Sequence, residues 1–230
     1  MNLQHVEILF QMIVFLFAIS VHESAHAWMA NLRGDPTARM LGRVSLNPLR
    51  HIDPLGTVLL PLIAMFFHVP LLGWAKPTPV DPRNFKNPVL DDILTAVVGP
   101  VSNFVVAIFA VLVLAVAKLL SPTATSIVVG LVVRAPGFDL SQINSLLAPF
   151  CLLVYQVILI NVVLGVFNLI PVPPLDGSHV FRHLLPAGAL RVYDTVGMFG
   201  LFILVFWGGG LLMKLIGPAI DVFRYIVVKI

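Results

Sequence analysis

The sequence predicts an all-α, polytopic membrane protein with about four to six transmembrane helices and a re-entrant or short β-like segment between the first helix and the one near 93–117. Three observations lead there. Hydrophobic residues make up 59% of the 230 and charged residues only 11%, less than half the usual globular share. Mean hydropathy is +0.99. The apolar residues also fall into runs close to the ~20 residues that a helix needs to cross a bilayer. Such a chain leaves no room for a separate soluble domain, so one integral-membrane domain over residues 1–230 is expected.

The long apolar runs lie near 6–30, 93–117, 146–169 and 195–216. The first lacks a basic n-region and a small-residue cleavage site, so it reads as a retained helix, not a leader. Residues 33–54 and 73–92 are polar and rich in Pro, Gly, Asn and Arg. Between them, 55–72 is apolar but short, and Pro54, Gly56 and Pro61 suit a bent path. It is expected to leave and return on one side, with one more full span as the alternative. Residues 119–145 read as a milder loop carrying Pro122, Pro136, Gly137 and Asp139. The run Ile170-Pro171-Val172-Pro173-Pro174 ends the 146–169 helix, because Pro lacks an amide donor and disfavours helix before it. Gly208-Gly209-Gly210 suits close packing or a kink. Residues 214–230 form a final short span or an interfacial helix.

Charge orients the chain. The formal charge is +3 and the isoelectric point about 9.3. The basic residues sit in loops beside apolar runs, which points to a cytoplasmic face and not to nucleic acid. Arg33, Arg39, Arg43, Arg50, Lys76, Arg83 and Lys86 all lie between 31 and 92, whereas 119–145 holds Arg134 alone. The positive-inside rule therefore places 31–92 in the cytoplasm. The lone Cys151 excludes an internal disulfide and a Cys-based zinc site, and it reads as a small apolar filler.

The chemistry begins at His22-Glu23-Ser24-Ala25-His26. Two histidines four apart on a helix share one face. That spacing lets both imidazoles hold one Zn²⁺ while the intervening Glu takes a proton from metal-bound water. Ionisable groups inside a membrane helix are costly and mark function. A third protein ligand is needed. Asp176 is the best candidate, an acid just past the proline break and beside Gly177. The 93–117 helix brings Gly99-Pro100-Val101-Ser102-Asn103 to a similar depth. His179 and His183 form a second pair with this spacing but have no acid between them, which favours an interfacial role. His5, His51 and His68 read as loop or interfacial residues, and Asp53, Asp91 and Asp92 as flanks of segment starts.

In these motifs the chain resembles the site-2 proteases, intramembrane zinc metalloproteases. The likeness rests on residues 22–26, 99–103 and 168–177 together. It extends through the loops Gly42-Arg43-Val44-Ser45-Leu46-Asn47-Pro48 and Gly73-Trp74-Ala75-Lys76-Pro77-Thr78-Pro79-Val80, which look like those of the short prokaryotic branch. The resemblance implies one zinc per chain, held by His22, His26 and Asp176, with Glu23 as catalytic base. It also implies that Asn103 and Asn168 bind or polarise the substrate backbone. The expected reaction is hydrolysis of peptide bonds within or next to transmembrane segments of proteins by zinc-activated water. The expected location is a prokaryotic cell membrane, with the site towards the cytoplasm. Ala25 stands where many members have Gly, and no PDZ or CBS module is seen.

A helical substrate hides its carbonyls and must unwind before attack. Residues 75–80 are expected to offer it a strand edge through Thr78 and Val80, with 42–47 as sheet partner. The rival reading of the whole chain is a divalent-metal transporter or channel using the same His/Glu/Asp cluster.

Overall fold

The structure, a computed structural model, describes residues 3–60, 62–63, 73–133, 143 and 145–230. Every regular element among them is helical, and they contain no strand. The main helices are α1 (Leu3–Arg33), α2 (Thr37–Met40), α3 (Pro88–Leu120), α4 (Pro122–Val133), α5 (Leu147–Asn168), α6 (Gly177–Arg182), α7 (Ala187–Phe206) and α8 (Gly209–Lys229). Among the described residues α1, α3 and α5 are long and apolar enough to cross a membrane. A fourth span is counted if the two halves of α7, bent by 42°, form one crossing. On that count the expected number is met at its lower end.

Three expectations change. Residues 119–145 are not all loop, because α4 occupies 122–133. Ser121 and Pro122 start it, proline's fixed φ and missing donor being harmless at the first helical position. Ala124, Ile127 and Val128 then bury one face completely. The apolar run 195–216 is not one helix either. It breaks at Trp207 and Gly208, within reach of the expected glycine kink. Finally, the sheet between 42–47 and 75–80 is absent among the described residues. Prolines 77 and 79 have no N–H to give a ladder, and the segment is tied by other groups, given below. The re-entrant path of 55–72 lies mostly outside the described residues. Its start is a π-helical turn, Pro54–Leu59, capped by the Asp53 carboxylate at Leu55 N and Gly56 N. His68, Arg134, Pro136, Gly137 and Asp139 also lie outside them.

The core forms where α3, α4 and α5 meet, around Leu114, Ile127, Ile158 and Val162. In lipid, helices gain little from hydrophobicity when they associate, so close packing has to hold them. Small residues permit it: Ala107 and Ala110 on α3, and Ala148, Cys151 and Gly165 on α5 are all buried. A Cβ on Gly165 would press on the Phe104 ring at 3.0 Å. Outward, α3 exposes Val105, Ile108, Phe109, Leu112 and Val116, an apolar face suited to lipid. α8 lays Val227 against the core, and Lys118 Nζ donates to the Val227 and Val228 carbonyls at its end. A basic group there satisfies carbonyls that the helix leaves free.

The register of α1 against α3 is set where the end of α1 meets the first turn of α3. Arg33 Nε and Nη2 each lie 2.6 Å from Asp91 Oδ1. Asp91, fully buried, also accepts from Asn87 N at 2.8 Å and so closes the first turn of α3. That alignment sets Gly99 opposite the two histidines of α1.

Candidate metal centre

His22 and His26 lie one turn apart on α1, both buried, with their rings edge to face. Their Nε2 atoms are 3.0 Å apart. Asp176 enters from the chain between α5 and α6. Its Oδ2 lies 3.1 Å from His22 Nε2 and its Oδ1 3.4 Å from His26 Nε2. The local chain explains this return. α5 ends at Asn168, the prolines 171, 173 and 174 prevent its resumption, and α6 starts at Gly177. A Cβ on Gly177 would collide with the Leu169 carbonyl, so only glycine lets the chain fold back tightly there. Gly99 has the same function opposite, since a Cβ on it would strike His26 Nε2 and His22 Cε1.

Proton positions decide what this cluster can bind. His26 Nδ1 is 2.6 Å from the Thr95 carbonyl, which can only accept, so Nδ1 carries the proton. His22 Nδ1 is 2.7 Å from Asn103 Oδ1. The Asn103 amide nitrogen donates to Asn161 Oδ1 at 2.9 Å and to the Ala18 carbonyl at 3.3 Å, which identifies Oδ1 as the acceptor facing His22. With Nδ1 protonated in each, the neutral form of either imidazole presents its Nε2 lone pair inward. Asp176 Oδ2 is buried and has no hydrogen-bond donor. Lone pairs at separations of 3.0–3.4 Å repel one another unless a metal ion or a proton lies between them. Tetrahedral zinc with bonds of about 2.0–2.1 Å sets its ligand atoms about 3.3 Å apart, close to these separations. The residues fit the metal. Among the described residues, His22, His26 and Asp176 are the one group of three such side chains whose ligand atoms all lie within 4.8 Å.

The other expected residues are placed as follows. Glu23 is half-buried beside the pair. Its Oε2 accepts from Thr78 N at 2.9 Å and Thr78 Oγ1 at 2.7 Å. The amide edge expected to be open at Thr78 is thus already occupied. Asn103 is completely buried behind His22, with its amide hydrogens spent inside the protein. Asn168 stands at the end of α5 and donates to the Leu164 carbonyl at 3.0 Å. His179 and His183 converge on one carboxylate, Asp92, with His183 Nε2 2.8 Å from Oδ2 and His179 Nδ1 3.1 Å from Oδ1. His51 is a loop residue but fully buried, 2.7 Å from the Ser45 carbonyl through Nε2. Sequence reasoning missed Asn161, which supports Asn103 and donates to its own helix at Val157 O. A lone amide in an apolar helix was the available signal.

The comparisons with known proteins point to a family of zinc metalloproteases. The model of "Peptidase family M50" matches residues 10–207, a span that holds all three candidate ligands. A protein of Bacillus subtilis (strain 168) named "Putative zinc metalloprotease YwhC" is 34% identical over 192 residues, 83% of this chain and 76% of that protein. No solved structure matches at a significant level. With its histidine pair, its returning aspartate and most of its length inside that match, the chain belongs to peptidase family M50, the site-2 protease family of zinc metalloproteases.

Proposed function

We propose that this metalloprotease cleaves peptide bonds within or next to transmembrane segments of protein substrates, with one zinc per chain held by His22, His26 and Asp176 and with Glu23 as general base. One observation carries the reading: three inward lone pairs, two from α1 and one from the 170–176 return, sit buried among membrane helices with Glu23 on the same turn of α1. Zinc bound there supplies a Lewis acid that polarises a carbonyl and makes water a stronger acid. The remaining work falls to side chains. Glu23 takes the proton of the attacking water and returns it to the leaving amine. Asn103 holds the Nδ1 proton of His22, which keeps Nε2 free, and Thr95 O does the same for His26. Asn103 thus acts behind the ligand, not on the substrate. Asn168 grips the substrate backbone after turning away from Leu164 O.

The whole chain, 1–230, acts as a single membrane domain in a prokaryotic cell membrane, and the basic residues of 31–92 put its site towards the cytoplasm. Membership of a protease family speaks against the transporter alternative. The test is Glu23→Gln in purified protein, with metal analysis and cleavage of a bilayer-embedded model substrate. Full zinc with cleavage lost is expected. Undiminished cleavage would reject Glu23 as base, and wild-type cleavage without zinc would reject the metal centre.

A further inference from the structure

We propose that Thr78 is the positioning residue for Glu23, fixing the carboxylate of the base in its working orientation; the inference rests on the assignment of Glu23 made above. Glutamate has three side-chain torsions, so on a half-exposed helix face its carboxylate samples several orientations. Thr78 selects one. Its amide and its hydroxyl both donate to Oε2, at 2.9 and 2.7 Å, and the hydroxyl lies 3.0 Å from the Glu23 carbonyl as well. Thr78 bonds only Oε2 of the carboxylate, and Oε1 is left to take a proton.

The segment that delivers Thr78 is braced on both sides. Trp74 N donates to Gly56 O at 3.2 Å, and Thr57 Oγ1 donates to Trp74 O at 2.7 Å. Lys76 N donates to His51 O at 2.8 Å. Beyond Thr78, Asp81 N and Asn84 Nδ2 donate to the buried Asp35 carboxylate at 2.8 and 2.9 Å. Pro77 and Pro79 fix their own φ and hold Lys76 and Thr78 extended. A braced strap gives its central donor a fixed place. Valine would fill the same space as threonine, so shape alone does not require a hydroxyl here. The strap reaches Glu23 across 55 residues of sequence, which makes it an independent element brought to the base by the fold.

The test uses the full-length, zinc-loaded enzyme and a bilayer-embedded model substrate. Thr78→Val keeps shape and amide but removes the hydroxyl. It is expected to lower kcat about tenfold, the scale of one hydrogen bond to a charged group, with KM and zinc content unchanged. Thr78→Ser is expected to restore kcat to within about twofold. An unchanged kcat in Thr78→Val overturns the proposal, and so does a raised one, which would make the strap a brake. Amide exchange of the 74–80 peptide gives a second reading that needs no Thr78 variant. Protection in wild type that is lost in Glu23→Ala is expected, and equal exchange in both overturns the contact. Full cleavage by Glu23→Gln would instead remove the base assignment, a separate failure.

Discussion

Replacing Asn103 with Leu is expected to weaken zinc binding by about 10- to 100-fold, the range found for partners behind metal-bound histidines. The structure gives the reason. His22 Nδ1–H loses its acceptor at 2.7 Å, and both side chains are buried. A buried donor without a partner costs about 1–3 kcal/mol. Without metal, the imidazole escapes this cost by moving its proton to Nε2. With metal it cannot, because Nε2 is the ligand atom. The penalty therefore falls on the bound state and reads out as affinity, at about 1.4 kcal/mol per factor of ten. Asn161→Leu acts more mildly, since the Asn103 amide keeps Ala18 O at 3.3 Å after losing Asn161 Oδ1. Because Asn161 acts through Asn103, the double variant is expected to match Asn103→Leu alone and not the product of the two effects. Competition against a chromophoric chelator at fixed pH measures all three. Affinity of Asn103→Leu within twofold of wild type, or multiplicative effects in the double variant, would refute the relay.

Gly99→Ala places a methyl group against both imidazoles; near-complete loss of bound zinc with the helical content kept is expected from metal analysis and circular dichroism. Asp35 gives a pH prediction. Burial works to raise its pKa, but hydrogen bonds from Thr37, from Asp81 N and from Asn84 prevail and hold it below the ordinary value. A lowered folded pKa means that its stabilisation is complete above the unfolded value of about 3.9 and is lost as pH falls through the folded one. Thermal scans of wild type below about pH 4 should therefore show a fall in Tm that is smaller in Asp35→Asn, where only the other hydrogen-bonded carboxylates contribute to it, that variant starting lower at neutral pH.

Spacing told most about α1. Two histidines with an acid between them, inside an apolar run, have few uses other than metal, and a helix fixes their geometry before any tertiary contact. Asp176 was legible for a different reason: a carboxylate past a proline-broken helix needs a partner in a lipid setting. What stayed hidden depends on rotation and on distant contacts. Asn103 was visible as a polar residue at the right depth, but a sequence does not say which face of α3 turns inward, and the structure points it to His22. Thr78 was read for its free amide edge because nothing near it in sequence reveals Glu23 as the acceptor. α4 was overlooked because its 12 residues are too few for a span, though Ser121-Pro122 is a start signal.

The polar groups behind the ligands also bear on how the helices hold together. Helices in lipid gain little by hiding apolar surface from one another, so small residues and polar contacts take a larger share of the work. Here one chain of hydrogen bonds runs from His22 on α1 through Asn103 on α3 to Asn161 on α5. The same side chains thus select the tautomer of a ligand and join the three spans. Metal and packing should then be coupled. Removing zinc leaves the lone pairs of His22, His26 and Asp176 facing one another at 3.0–3.4 Å, and protonation or side-chain rotation must relieve them, either of which strains the relay. Chelation is accordingly expected to lower the Tm of the whole helical core, and by less in Asn103→Leu, where the link from site to α3 is already cut. An equal drop in both proteins would mean that the site and the bundle are stabilised separately.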